Sequence, residues 1–163
     1  MQTSAKRGTM VAQRGSAGGG FTKNHQHIVF STAGRRKSID KPFQPKLWAY
    51  MAGICRNHKI FVRAISGVED HVHLLVEIPP TMAVAKAVST LKSNSSKWIH
   101  ETGRKFAWQK GYAAFSVSAS NLRVVANYVN NQEAHHKKIS YEDELLLLLK
   151  KHGIEFDLEF VFG

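Results

Sequence analysis

Apolar and polar positions change rhythm several times along the chain, and each change marks an element. Residues 1–24, MQTSAKRGTMVAQRGSAGGGFTKN, offer little to bury and read as a flexible basic lead-in to a single domain over 25–163. QHIVFST, Gln26–Thr32, is a short strand closed by Gly34 and the basic loop Arg35-Arg36-Lys37. Pro42 and Pro45 introduce a helix over Gln44–Asn57, with Leu47, Met51 and Ile54 on one face. Lys59–Ser66 and His71–Ile78 read as a hairpin turning at Gly67, ended by Pro79-Pro80. Val84, Val88 and Leu91 set the face of a second helix, Met82–Glu101, closed by Gly103. Phe106–Ser118 holds a fourth strand, Asn121–Lys138 a third helix, and Tyr141–Lys151 a short acidic-then-Leu helix.

Strand–helix–strand–strand–helix–strand is the order of the ferredoxin-like split βαβ unit, an α+β fold. It predicts an antiparallel sheet with helices on one face and the other face free. Such a face hosts RNA binding, metal chemistry or DNA nicking, so order alone leaves function open.

Composition narrows this. The apolar run Leu145–Leu149 is far below the ~20 residues of a membrane span. A single cysteine, Cys55, excludes an internal disulfide and a Cys-rich zinc module, and suits a reducing cytoplasm. The net charge of +11 is uneven: four bases and no acid over 1–24, 17 bases and six acids over 25–138, two bases and six acids thereafter. A basic body with an acidic end points to a polyanionic partner, nucleic acid first.

The chemistry gathers in two places. In Asp70-His71-Val72-His73-Leu74-Leu75-Val76-Glu77-Ile78, Val72, Leu74, Val76 and Ile78 alternate onto the core face. His71 and His73 then share the opposite face, as two ligands for one divalent cation or as two ordinary surface histidines. His25 and His27 repeat the spacing on the first strand, where solvent or phosphate contact is the expectation. On the third helix Tyr128 and Gln132 lie four apart, about 40° around the axis, beside the buried stripe of Leu122, Val125 and Val129. His135 and His136 follow, suited to phosphate contact or to the helix C-terminus. Trp108, Tyr112 and Phe115 alternate with Lys105 and Lys110, as core aromatics or as a base-stacking track.

Four blocks, DHVHLLVEIP, LKSNSSKWI, FAWQKGYAAFSVS and YVNNQEAHH, together resemble the small single-tyrosine HUH transposases of bacterial insertion sequences, the IS200-like type. These are related to the REP-associated tyrosine transposases. The closing KHGIEFDLEFVFG is similar too, so the resemblance spans about His25–Gly163. It implies that His71 and His73 are the two HUH histidines, Gln132 the third ligand of Mg²⁺ or Mn²⁺, and Tyr128 the nucleophile. It further implies single-stranded DNA transesterification through a 5′-phosphotyrosine, hairpins at element ends as the DNA partner, a homodimer, and a bacterial cytoplasm. Arg35, Arg36, Lys92, Lys97, Lys110, His135 and His136 are the candidate DNA contacts. A repeat-hairpin nuclease of the same family, or a non-catalytic single-strand binder, are the alternatives.

Overall fold

A computed structural model describes residues 20–162, so most of the expected lead-in, residues 1–19, lies outside the described residues. Four strands, β1 His25–Ser31, β2 Phe61–Gly67, β3 His71–Glu77 and β4 Ala113–Ser116, form one sheet in the order β2-β3-β1-β4. Every pairing is antiparallel, with Ile28 opposite Leu74 and Val29 opposite His73. This is the ferredoxin-like arrangement that the order of elements predicts.

Helices α1, Gln44–Asn57, and α2, Val84–Glu101, cover one face. Pro45 fits the first turn of α1, where its missing N–H has no intrahelical partner anyway. Lys59 ends the turn after α1 with φ 59°, and Gly103 at φ 85° closes the chain behind α2. Beneath them Ile28, Phe30, Val72, Leu74, Val76 and Leu91 are buried in one apolar cluster. Fully burying each such side chain contributes about 1.5–3 kcal/mol. The β2–β3 turn runs over residues 68–70; Gly67 is the last strand residue rather than the turn.

The second face is not free, and this corrects the sequence reading. Three further helices lie over it: α3 Leu122–Asn130, α4 Gln132–His135 and α5 Tyr141–Lys151. Val129 of α3 packs on Ala64 and Leu75, and Tyr141, Leu145 and Leu149 of α5 pack on Val29 and Phe115. The expected third helix over 121–138 also breaks, at Asn131, whose φ/ψ of −102/22 leaves the helical well. No Gly or Pro announces the break. Ser140 caps α5, its hydroxyl accepting from the Asp143 N–H at 3.2 Å. Acids fill the first turn of α5 and Lys150 and Lys151 the last, matching the helix dipole. A last turn, α6 Leu158–Val161, follows. Among the described residues no helix is long and apolar enough to cross a membrane.

Candidate functional site

Covering the second face changes the character of its histidines. His71 and His73 are 1% and 0% exposed, so the reading as two ordinary surface histidines fails. Each has its Nδ1 engaged from behind. Nδ1–H of His71 donates to Asp70 Oδ1 at 2.6 Å, and Nδ1 of His73 meets His27 Nε2 at 2.8 Å. Both rings therefore aim Nε2 into the interface with α4 and α5. A carboxylate behind an imidazole fixes its tautomer and leaves the far nitrogen with a free lone pair, the usual support of a metal-binding histidine. His25 and His27, expected at solvent or phosphate, are each 3% exposed: the helices that cover the face bury them as well. His27 is a neighbour of His73 instead. Burial first, then the neighbouring His73, lower the His27 pKa to about 3.

The break at Asn131 places the next group. Gln132, 0% exposed, donates from Nε2 to the backbone carbonyl of Tyr128 at 3.1 Å. Its Oε1 is left to accept from His136 Nε2 at 2.9 Å. His136 Nδ1–H donates to the Ile139 carbonyl at 2.9 Å. With a proton on Nε2 as well, the ring would carry a positive charge. Burial opposes that charge, but the Glu144 hydrogen bond and charge more than offset it and raise the pKa. His136 Nε2 thus stands 2.9 Å from His71 Nε2, 2.9 Å from Gln132 Oε1 and 3.1 Å from Glu144 Oε1. Expected at phosphate or as a helix cap, it lies at the centre of the site.

Glu144 is the group that sequence reasoning missed. It sits in the first turn of α5, where an acid reads as a dipole partner, yet it is 2% exposed. Its Oε1 accepts from His73 Nε2 at 2.8 Å, and its Oε2 accepts from the Tyr128 hydroxyl. Burial would raise its pKa, but hydrogen bonds from His136, His73 and Tyr128 hold it well below the usual carboxylate range. His73 is kept neutral, its pKa lowered to about 4 chiefly by burial. The same carboxylate, after burial, raises the Tyr128 phenol above its ordinary value. One signal could have found Glu144: it follows Tyr141 by three positions and precedes Leu145, on the apolar stripe rather than off it.

The residues present fit a divalent cation. Ligand atoms of His71, His73, His136 and Glu144 all lie within 4.8 Å of one another, and Gln132 Oε1 adjoins them. His71 Nε2, Gln132 Oε1 and Glu144 Oε1 already converge on one nitrogen, His136 Nε2, the crowding of ligand atoms that a small cation requires. A nitrogen-rich donor set suits Mn²⁺ better than Mg²⁺, which prefers oxygen and water.

The expected DNA contacts scatter. Lys92 and Lys97 lie on α2, on the far side of the sheet. The Lys92 ammonium donates to the backbone carbonyls of Gln109 at 2.9 Å and Gly111 at 2.6 Å, pinning the approach to β4. Burial lowers its pKa to about 8. Lys92→Met should therefore cost about 2 kcal/mol of stability, a fall of roughly 4–8 °C in Tm, measured by thermal melt. Arg35 pairs with Glu142 and lies 5.4 Å over the Phe162 ring. Arg36, Lys97 and Lys110 are exposed. His136 belongs to the site itself, and His135 borders it, its Nε2 3.3 Å from the Tyr128 hydroxyl. Of the aromatics, Trp108 and Phe115 are buried and Tyr112 is 41% exposed.

Comparison with known proteins converges on one family. Two curated relatives, the transposases for insertion sequence element IS200 of Salmonella typhimurium and Salmonella typhi, are each 27% identical over 115 residues, 65% of this chain and 74% of theirs. A solved putative transposase from Deinococcus radiodurans shares the fold with a TM-score of 0.59 at 20% identity, covering 72% of this chain and 97% of its own. A REP-associated tyrosine transposase solved bound to a REP hairpin matches with a TM-score of 0.56 at 15% identity, over 71% and 70%. The family profile described as "Transposase IS200 like" matches residues 21–132, more than half of the sequence and all of the sheet. The chain belongs to the IS200-like transposase family.

Proposed function

We propose that this transposase cuts and rejoins single-stranded DNA at hairpin-marked ends, with Tyr128 as nucleophile and a divalent cation held by His71, His73 and Gln132. The observation that carries it is that both histidine Nε2 atoms and the Gln132 carbonyl meet the buried His136–Glu144 pair, whose carboxylate also accepts from the Tyr128 hydroxyl. When bound, the cation polarises the scissile phosphate and offsets its developing charge. Tyr128 Oη attacks phosphorus, the bond to the 3′-oxygen breaks, and that oxygen takes up a proton as the phenol gives one up. The phosphoester energy stays in the 5′-phosphotyrosine, so a second 3′-hydroxyl can rejoin the strand without ATP.

Tyr128 stands beside the histidines of its own chain, its ring centroid 5.9 Å from that of His73, which supports cleavage in cis. The solved relative bound to a REP hairpin supports a hairpin as the DNA partner. A single-strand binder that stacks bases on its sheet is disfavoured, because helices bury the face that would carry the stacking residues.

The test uses labelled single-stranded hairpins from both flanks of the gene, incubated with the full chain and Mn²⁺. A denaturation-resistant protein–DNA adduct is expected with Mn²⁺ and none with chelator. Binding without an adduct on either flank would sink the nuclease reading. An adduct that survives chelation would sink the metal.

A further inference from the structure

Glu144 sits where stability does not explain it. A carboxylate on the apolar stripe of α5, between Tyr141 and Leu145, loses nearly all its hydration. Desolvating an ion costs several kcal/mol unless the surroundings return it. A structural acid here would pair with a nearby lysine or arginine at the rim, as Glu142 pairs with Arg35. Glu144 instead contacts the site alone: His73 and His136 at Oε1, with His71 Nε2 at 3.6 Å from that atom, and Tyr128 and His135 at Oε2. Its two oxygens are divided between the two halves of the chemistry.

We infer that Glu144 is the residue that joins the cation to the nucleophile, ligating the cation through Oε1 and holding the Tyr128 hydroxyl through Oε2. The inference deepens the proposed function and rests on Tyr128 and the histidines having the roles given there. The distances agree with it. From Glu144 Oε1, His73 Nε2 lies at 2.8 Å, His136 Nε2 at 3.1 Å and His71 Nε2 at 3.6 Å. Ligand atoms around a small four-coordinate cation are spaced about 3.4 Å apart, from bond lengths of ~2.1 Å. Little rearrangement separates this cluster from a ligand set. His71, His73 and Gln132 supply no negative charge, so Glu144 also supplies the one full anionic ligand.

The coupling has a chemical sense. A bare anion beside a phenol disfavours the phenolate, which is the reacting form. Drawing the carboxylate's charge onto a cation through Oε1 removes that penalty while Oε2 keeps the hydroxyl in place. The nucleophile is thereby unmasked by the same ion that receives the phosphate.

The experiment compares Mn²⁺ binding by calorimetry in the full chain and in Glu144→Gln, which keeps the shape and removes the charge. Weakening of 10-fold or more is expected, in protein whose circular dichroism matches the parent. At saturating Mn²⁺, Glu144→Gln should still form adduct at least 10-fold more slowly, because a neutral amide holds the Tyr128 hydroxyl less firmly than the carboxylate does. Mn²⁺ affinity within threefold of the parent would overturn the ligand role. A wild-type rate at saturating Mn²⁺ would overturn the bridging. Should Glu144→Gln not fold, unmodified protein labelled with ¹³C at glutamate Cδ decides it. Saturation with Mg²⁺ should then shift the Glu144 signal, and an unmoved signal refutes the proposal. Lost Mn²⁺ affinity in Glu144→Gln without any adduct from the parent would leave the ligand role standing and the proposed chemistry fallen.

Discussion

Tyr128→Phe should form no covalent adduct with hairpin DNA, a loss of at least about 10⁴-fold in rate, while still binding the DNA. The substitution removes one oxygen and keeps the ring, which packs against His27 at 5.8 Å, His73 at 5.9 Å and His135 at 5.1 Å between centroids. Losing the hydroxyl takes one of several hydrogen bonds from Glu144, a stability cost of about 1 kcal/mol. Melting temperature and gel-shift affinity should therefore stay near the parent while the adduct band on a denaturing gel disappears. An undiminished adduct would mean that another side chain is the nucleophile. Tyr141, buried and tilted against His71 with ring centroids 4.7 Å apart, would then be the next to replace.

Gly67→Ala is expected to cost about 3 kcal/mol, the upper part of the range for forcing atoms into packed space, and so lower Tm by roughly 6–12 °C. A Cβ there would overlap the His71 carbonyl oxygen and lie 3.0 Å from Val72 Cα and 3.1 Å from Trp48 Cζ2. Two of these obstacles are backbone, which cannot swing aside as a side chain can. The strand that must move is the one that carries His71 and His73, so the damage reaches the site. Mn²⁺ affinity should fall together with Tm, both read on the same preparation by calorimetry. A melt within 2 °C of the parent would show that the hairpin relaxes around the methyl group.

Much of the sheet and of the first two helices was legible from periodicity. Gln44–Asn57 and Tyr141–Lys151 are bounded by residues with plain physical meaning: a proline at the start of one, a serine cap and graded charge on the other. Val72, Leu74 and Val76 alternate, and β3 follows them. The second layer was harder to read. α5 shows an apolar stripe, but a stripe says only that something is covered, and part of the covered surface, at Val29, lay more than 110 residues earlier in the chain. Because that layer was missed, His27 was placed in solvent and His136 on phosphate. Glu144 was hidden for another reason: an acid in a first turn already has a sufficient local explanation, which drowned out its place on the apolar stripe. The scattered lysines show the limit of charge counting, since Lys92 and Lys97 count alike in the sequence yet Lys92 has its ammonium enclosed by backbone carbonyls.

The order in which the site's parts occur along the chain has a consequence during synthesis. His27, His71 and His73 belong to strands that leave the ribosome early, whereas Tyr128, Gln132, His136 and Glu144 come from the helices laid over them last. At about 5–20 residues per second, roughly 4–14 s separate the translation of His73 from that of Glu144. During that interval, a nascent chain can carry a finished sheet with two histidines, but no carboxylate to hold the tyrosine. A chain stopped between Ser116 and Glu144 would hold the residues of all four strands but lack Glu144. The candidate site is thus the last part of the molecule to be completed, and its final piece is the carboxylate.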